Sequence, residues 1–365
     1  MFDSPHFGRW LEQFENEQIE FVLLPSSPHR RIHPILRSLT LGSSRADYKF
    51  YGYIKYFGLP LWLLDKILQN SLRALILRRA IKDVTPAVVH ALEIQNAGYI
   101  ALRAFRRFKP PGVRLVVTNY GSDIFWFRRF SAHEQKIRRL LSLTDLYAAE
   151  CSRDVMLARE MGFTGEVAPL VPNAGGIQIS KIIPAADLDT KRTTIAVKGY
   201  HGWVGRAHNV LRALEAINGE VSGYQIVFFS CNWSTIRLAR RVRKSTKLDI
   251  VCFGKGRLSH DQMLRLFSQS RIYVGISESD GISTSMLEAM SQGAVPIQTG
   301  TSCAEEWLED SGVVVKGTDT ESSCEAIKKG LSMSDTSAAA KINRDTILRR
   351  ATANAVAEKL EGFYE

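Results

Sequence analysis

The stretch "RIYVGISESDGISTSMLEAMSQGAVPIQT", Arg271 to Thr299, decides how the chain is read. It divides into an apolar run (RIYVGIS), a polar turn (ESDG), a helical segment (STSMLEAMSQ), Gly293, and a second apolar run (AVPIQT). An apolar run without alternation marks a strand buried on both faces, and strand, helix, strand at this spacing marks a parallel βαβ unit. Gly293 stands where a helix end asks for left-handed backbone. In open α/β sheets, ligands bind beyond the carboxyl ends of the strands, which puts Asp280 and the following helix N-terminus where chemistry is expected. Unpaired N–H groups and a partial positive charge there favour phosphate, and Ser283, Thr284 and Ser285 add hydroxyls. Glu288 lies one turn in, and helical side chains lean toward the N-terminus, so its carboxylate suits sugar or ribose hydroxyls beside that phosphate. The competing reading is structural: Ser285-x-x-Glu288 fits a capping box, in which the carboxylate serves only its own helix.

The same grammar recurs on both sides. Apolar runs begin at Ile19, Val88, Val113, Leu143 and Gly165, and again at Thr193, Tyr224, Leu248 and Arg271, with helical patterns between them. The stretch "VPNAGGIQISKIIPAADLDTKR" interrupts the pattern with Pro, Gly and polar residues, as a linker does. The expected architecture is α/β: one doubly wound Rossmann-like domain over 1–178, a second over 190–340, and a C-terminal helix over 341–365 that packs back across the interface between them. No GxGxxG or Walker loop is present, which removes the ordinary dinucleotide and NTP readings.

Composition agrees with a folded, water-facing protein: 45% of the 365 residues are hydrophobic and 23% charged. The longest apolar run, in "YFGLPLWLLDK", is too short for a bilayer, and the N-terminus has no apolar signal region. Five scattered cysteines point to reduced thiols in a cytoplasmic setting and against a zinc site. Of the net charge of +11, residues 1–175 hold +8, so the first half is expected to meet something anionic. Within it, Tyr48 to Lys82 interleaves aromatics and leucines with lysines and arginines, the pattern either of an interfacial amphipathic helix or of a helical excursion packed on the first sheet.

Asp280-x7-Glu288 followed by "LEAMSQGAVPI" resembles the E-x7-E motif of family 4 (group 1) retaining glycosyltransferases with the GT-B fold. Further matches come in order: "VHALEIQNAGY", "VTNYGSDI", "AECSRDVMLAREMGFTGEVAPLVPNAGG" and "VKGYHGWVGRAHNVLRALE". The resemblance implies two Rossmann-like domains facing across a cleft, with a UDP- or GDP-linked sugar on the second and the acceptor on the first. It implies no metal and no cofactor. Carried onto this chain, Glu288 would bond the ribose. Asp280, with Gly281, Ile282, Ser283 and Thr284, would hold the sugar, and Arg206 would meet the diphosphate. In the first domain, Asn96, Tyr120 and Gly121 would face the acceptor, and Asp123 would lie near the anomeric carbon or the acceptor; its competing reading is a cap on the helix that begins near Ile124. The chain departs from the pattern in four ways. Asp280 is one methylene shorter than the common Glu. Tyr120-Gly121-Ser122-Asp123 replaces a His-containing loop. The lysine expected shortly after "GR" is missing, leaving Lys198, His208, Arg212 or Lys255, of which Lys255 in the "FGKG" loop is preferred. Finally, "MFDSPHFGRW" begins where relatives have finished their first strand, so either a start lies upstream or that strand is lacking.

The expected activity is transfer of a sugar to a glycan or lipid-linked acceptor for surface polysaccharide or lipopolysaccharide. The setting would be cytoplasmic or peripheral on the inner membrane face, with no nucleic-acid partner. The alternatives are a nucleotide-sugar epimerase and a non-catalytic sugar-nucleotide or polyanion-binding protein.

Overall fold

The computed structural model describes residues 2–42, 45–52, 58–106, 109–188, 192–333 and 336–365. The chain divides into two compact units, Met1–Gly176 with Ala353–Glu365, and Ile177–Thr352. The break falls at the amino end of the stretch read as a linker. The C-terminal segment splits: helix Thr336–Arg350 stays with the second unit, and helix Ala353–Leu360 belongs to the first.

In the first unit, β1 (Glu20–Leu23) and β2 (Asp47–Phe50) form a parallel pair. β3 (Val88–Leu92), β4 (Arg114–Thr118), β5 (Leu146–Ala148) and β6 (Glu166–Val167) form a separate parallel sheet in that order. Side chains alternate across it, as period 2 requires. Leu115 and Val117 pack with Ile81, Tyr99 and Ile137 on one face. Val116 and Leu92 pack with Trp10, Phe14 and Val356 on the other.

The second unit is one six-stranded parallel sheet: β7 (Thr194–Lys198), β8 (Gln225–Cys231), β9 (Ile250–Gly254), β10 (Ser270–Gly275), β11 (Val295–Thr299) and β12 (Val313–Val315). Their order is β12-β11-β10-β7-β8-β9, with the chain reversing direction of growth between β7 and β10. That reversal is the switch point of a doubly wound sheet, where ligands collect. Every residue of β11 is buried, as is all of β7 but Lys198 at its carboxyl end, which explains the unbroken apolar runs.

Two strands escape the sequence reading. β12 is only three residues long. β2, "DYKF", has charges on alternate positions, as an edge strand should. Its last three residues fall inside Tyr48–Lys82, read as helical either at a membrane interface or packed on the first sheet, and that segment is corrected to the end of a strand followed by helices Leu59–Ile67 and Ser71–Val84. The part of that reading on Tyr53 to Phe57 lies outside the described residues. Among the described residues no helix is long and apolar enough to cross a membrane.

Candidate functional site

The site is built from the carboxyl ends of β7 and β10, which pair although 71 residues separate them in sequence. β10 runs out into Ser277–Ser283, and the helix Thr284–Ser291 follows with Ser283 at its N-cap. Gly293 closes it at φ 76°, a left-handed conformation that side-chain-bearing residues resist. With Ser283 as N-cap, the third helical position is Met286, so Ser285 and Glu288 do not form a capping box. Instead Glu288 Oε1 meets His260 Nε2 at 2.9 Å, and its side chain is 11% exposed.

Asp280 faces Lys198, the last residue of β7, with Nζ 3.7 Å from Oδ2. Lys198 Nζ also lies 3.4 Å from Ser283 Oγ. Burial alone would pull the lysine pKa down, but the carboxylate of Asp280 outweighs it and holds the ammonium above its ordinary range. Gly281 N–H donates to Asp280 Oδ1 at 3.1 Å, which fixes the carboxylate rotamer. Behind them, Tyr273 Oη contacts Ser283 Oγ at 3.3 Å, Ser285 Oγ at 3.1 Å and Gln298 Oε1 at 3.3 Å. The Ile282 side chain is buried with Met286 and Leu287, so only its backbone could serve a ligand; Thr284 is half-buried.

Arg206 opens the loop wall. Its Nε donates to Glu278 Oε1 at 3.0 Å and its Nη1 to Gly202 O at 2.6 Å. Backbone bonds Glu278 N to Val204 O and Arg206 N to Ile276 O tie loop Gly199–Arg206 to the exit of β10. A Cβ at Gly205 would sit 2.2 Å from Tyr200 O, so the close crossing requires glycine. Arg206 thus organises the loop next to Asp280 while its guanidinium is engaged by Glu278. Lys255 stands exposed in the turn after β9. The cation that the structure sets against Asp280 is Lys198, which sequence reasoning named but ranked below Lys255. His260 was missed: nothing local links it to Glu288, 28 residues on.

In the first unit, the Asp123 carboxylate is buried and accepts from Ile94 N–H at 3.1 Å and Tyr120 N–H at 3.4 Å. It therefore ties together the loops that leave β3 and β4. Burial, with the nearby Glu93 charge adding, raises its pKa to about 7. Glu93 itself adopts φ 90°, rare for a residue with a side chain. Its Oε1 accepts from Asn96 N–H at 3.0 Å and Ala97 N–H at 3.2 Å, at the start of the π-helix Ile94–Gly98. π-Turns and strained backbone of this kind gather at functional sites. Asn96 Oδ1 accepts from Lys66 Nζ at 3.2 Å. Gly121 has φ 79° and precedes the short helix that holds Asp123. The Tyr120 hydroxyl is buried and has no hydrogen-bond partner among the described residues. Glu93 and Lys66 were not anticipated from sequence; the positive φ that singles out Glu93 is invisible there.

Residues 180–346 match the family model described as glycosyl transferases group 1. No curated protein matches the chain. Among solved structures, sucrose-phosphate synthase from Thermosynechococcus elongatus is similar at TM-score 0.72 and 13% identity, over 98% of this chain and 90% of that one. A trehalose-6-phosphate synthase studied for glycosyl transfer with retention is similar at 0.69 and 12%, over 99% and 96%. The UDP-forming α,α-trehalose-phosphate synthase from Burkholderia xenovorans is similar at 0.66 and 13%, over 98% and 95%. The fold is α/β and of the GT-B class. Within it, the second unit matches the group 1 glycosyl transferase model over most of its length, in agreement with the resemblance drawn from Asp280-x7-Glu288.

Proposed function

We propose that the chain transfers a sugar from a UDP- or GDP-linked donor to a glycan or lipid-linked acceptor with retention of anomeric configuration, without metal or cofactor. The observation that carries this reading is Lys198, Asp280 and Ser283 converging at the switch point, with Glu288 one helical turn behind. As the C1–O bond to the diphosphate breaks, negative charge grows on the leaving phosphate. A fixed ammonium and the N–H groups of the helix Thr284–Ser291 are where such charge is best met, because they need no reorganisation. The acceptor oxygen bonds to C1 on the same face, and its proton passes to the departing phosphate. Asp280 would bind sugar hydroxyls while keeping Lys198 charged, and Glu288, steadied by His260, would bond the ribose. Arg206 reaches the diphosphate only by exchanging Glu278 for phosphate oxygens, so its first role is to hold the loop.

The first unit would bind the acceptor through Tyr120, Gly121, Asp123 and Asn96. The net charge of +8 over residues 1–175 and the half-exposed leucines of helix Leu59–Ile67 suit a lipid diphosphate or an anionic membrane face, consistent with surface polysaccharide or lipopolysaccharide synthesis. The test is incubation with radiolabelled UDP- and GDP-sugars and polyprenyl-diphosphate or oligosaccharide acceptors, in EDTA, with the product anomer read by NMR. Labelled product with the donor's anomeric configuration is expected. Nucleotide binding without transfer would favour a sugar-nucleotide-binding protein, interconverted free donor sugar an epimerase, and loss of activity in EDTA would end the metal-free mechanism.

A further inference from the structure

The loop that leaves β1 carries "PHRRIHP", Pro28 to Pro34. Its His29, Arg30, Arg31 and His33 line a cavity of about 590 Å³ together with Asp3 and Leu59. That volume falls within the roughly 300–1,000 Å³ of small-molecule sites. Arg30 and Arg31 are exposed, and among the described residues neither has an ion-pair partner. Two guanidinium groups outnumber the single carboxylate of Asp3, so the wall is positive. His33 Nδ1 accepts from Ile35 N–H at 3.3 Å, which leaves Nε2 as the ring's N–H donor. Guanidinium forks match phosphate oxygens in charge and geometry.

Leu59 is also the first residue of helix Leu59–Ile67, so the basic hollow runs into that helix. The helix is built inside out. Its one fully buried residue is Asp65, while Leu59, Leu61, Leu63 and Leu64 are about half exposed and Ile67 is 79% exposed. Folded chains ordinarily hide such leucines and expose carboxylates, so the inversion marks a face that meets something apolar. The arrangement is firmly held. Asp65 pairs with Arg73 and accepts from Leu72 N–H at 2.8 Å. Arg73 in turn donates to Asn70 Oδ1 at 2.9 Å and to Ser26 O, at the start of the loop that carries Arg30. One buried ion pair therefore fixes the loop to the helix. Next to Asp65, Lys66 Nζ donates to Asn96 Oδ1, which joins the same helix to a residue of the proposed acceptor site.

We infer that the hollow binds the diphosphate of a lipid whose apolar chain lies along the leucines of helix Leu59–Ile67. Arg30 and Arg31 take the phosphate oxygens, and His33 adds a neutral donor. A membrane surface asks for cations spread over an open face; here they line a hollow, and the leucines continue from it as a lipid chain continues from its head group. The inference rests on the proposed function and names its acceptor class.

Equilibrium dialysis of the full chain with geranylgeranyl diphosphate and with inorganic pyrophosphate tests it, in the parent, in Arg30→Gln/Arg31→Gln and in Leu63→Ser/Ile67→Ser. The parent should bind the lipid at least about tenfold more tightly than pyrophosphate. The arginine variant should lose about tenfold or more for both ligands, and the leucine variant should lose as much for the lipid alone. Both should keep the parent's Tm, since all four side chains are exposed. Equal parent affinity for the two ligands, or unchanged lipid affinity in the arginine variant, overturns the proposal. So does a parent that ignores the lipid and instead sediments with phosphatidylglycerol vesicles, or forms a dimer, through the leucines. A transfer assay separates this inference from the reading beneath it. The expected binding pattern without sugar transfer would support the lipid site and end the transferase reading. Transfer to a polyprenyl-diphosphate sugar with equal KM in the parent and the arginine variant would keep the transferase and overturn the site.

Discussion

The two units follow one plan and differ in how their strands are joined. In the second, β7 joins the halves of the sheet and ends in Lys198, so that Asp280 finds its partner on a buried, doubly paired strand. In the first, the pair β1 and β2 and the four strands β3 to β6 form separate sheets. The carboxylates at the strand ends, Glu93 and Asp123, are held by backbone N–H groups from neighbouring loops. A central strand does more than fill space: it sets a functional side chain opposite another from a different strand, which loops alone do loosely.

The largest effect is expected at Lys198. Lys198→Met should lower kcat by about 10²- to 10³-fold, the size of a lost charge-stabilising group, with a much smaller change in the affinity for sugar acceptor. Retained activity would move the leaving-group role elsewhere and weaken the contrast between the units.

Asp123 gives the next effect, read in stability against pH. Its folded pKa of about 7 lies above the unfolded value. Its contribution is therefore favourable below about pH 4 and is lost as pH rises through 7. Asp123→Asn should accordingly gain stability over the parent between pH 4 and 8, by on the order of 1–3 kcal/mol at pH 8. His90, whose pKa burial depresses to about 3, has the opposite slope below pH 6.5 but is present in both proteins and cancels. Urea denaturation at several pH values checks this; a difference independent of pH would mean that the carboxyl is ionised throughout.

Smaller still is Arg206→Met, which should free loop Gly199–Arg206 from Glu278. Its expected cost is about 1–2 kcal/mol with faster proteolysis in that loop, since the charge-assisted bond to Glu278 and the bonds to the carbonyls of Gly202, Val204 and Gly205 are lost. Lys255→Ala should be within about 0.5 kcal/mol of the parent in stability, as surface changes are, and within twofold in activity. A large loss there would restore Lys255 as the active cation and displace Lys198.

Much of the fold was legible because buried parallel strands write themselves as unbroken apolar runs: "TTIAVK", "YQIVFFS" and "AVPIQT" each became a strand. The strand–loop–helix–turn of the site was legible for the same reason, with Gly293 as punctuation. β2 was not, since an edge strand with charges on alternate positions looks like amphipathic helix at short range. The choice between Lys198 and Lys255 was not, because it depends on β7 pairing with β10 and not with its sequence neighbours. Glu288 with His260, and the strained Glu93, are likewise products of tertiary packing.

The proposed function puts a nucleotide sugar on the second unit with Glu288 on its ribose. Calorimetric titration of UDP and GDP into the parent and into Glu288→Gln, in EDTA, tests it most directly. One of the two nucleotides should bind the parent, and the variant should bind it at least tenfold more weakly with an unchanged Tm in the absence of nucleotide. Equal affinity in parent and variant, or a lower Tm of the variant with binding intact, would contradict the account and return Glu288 to a structural role.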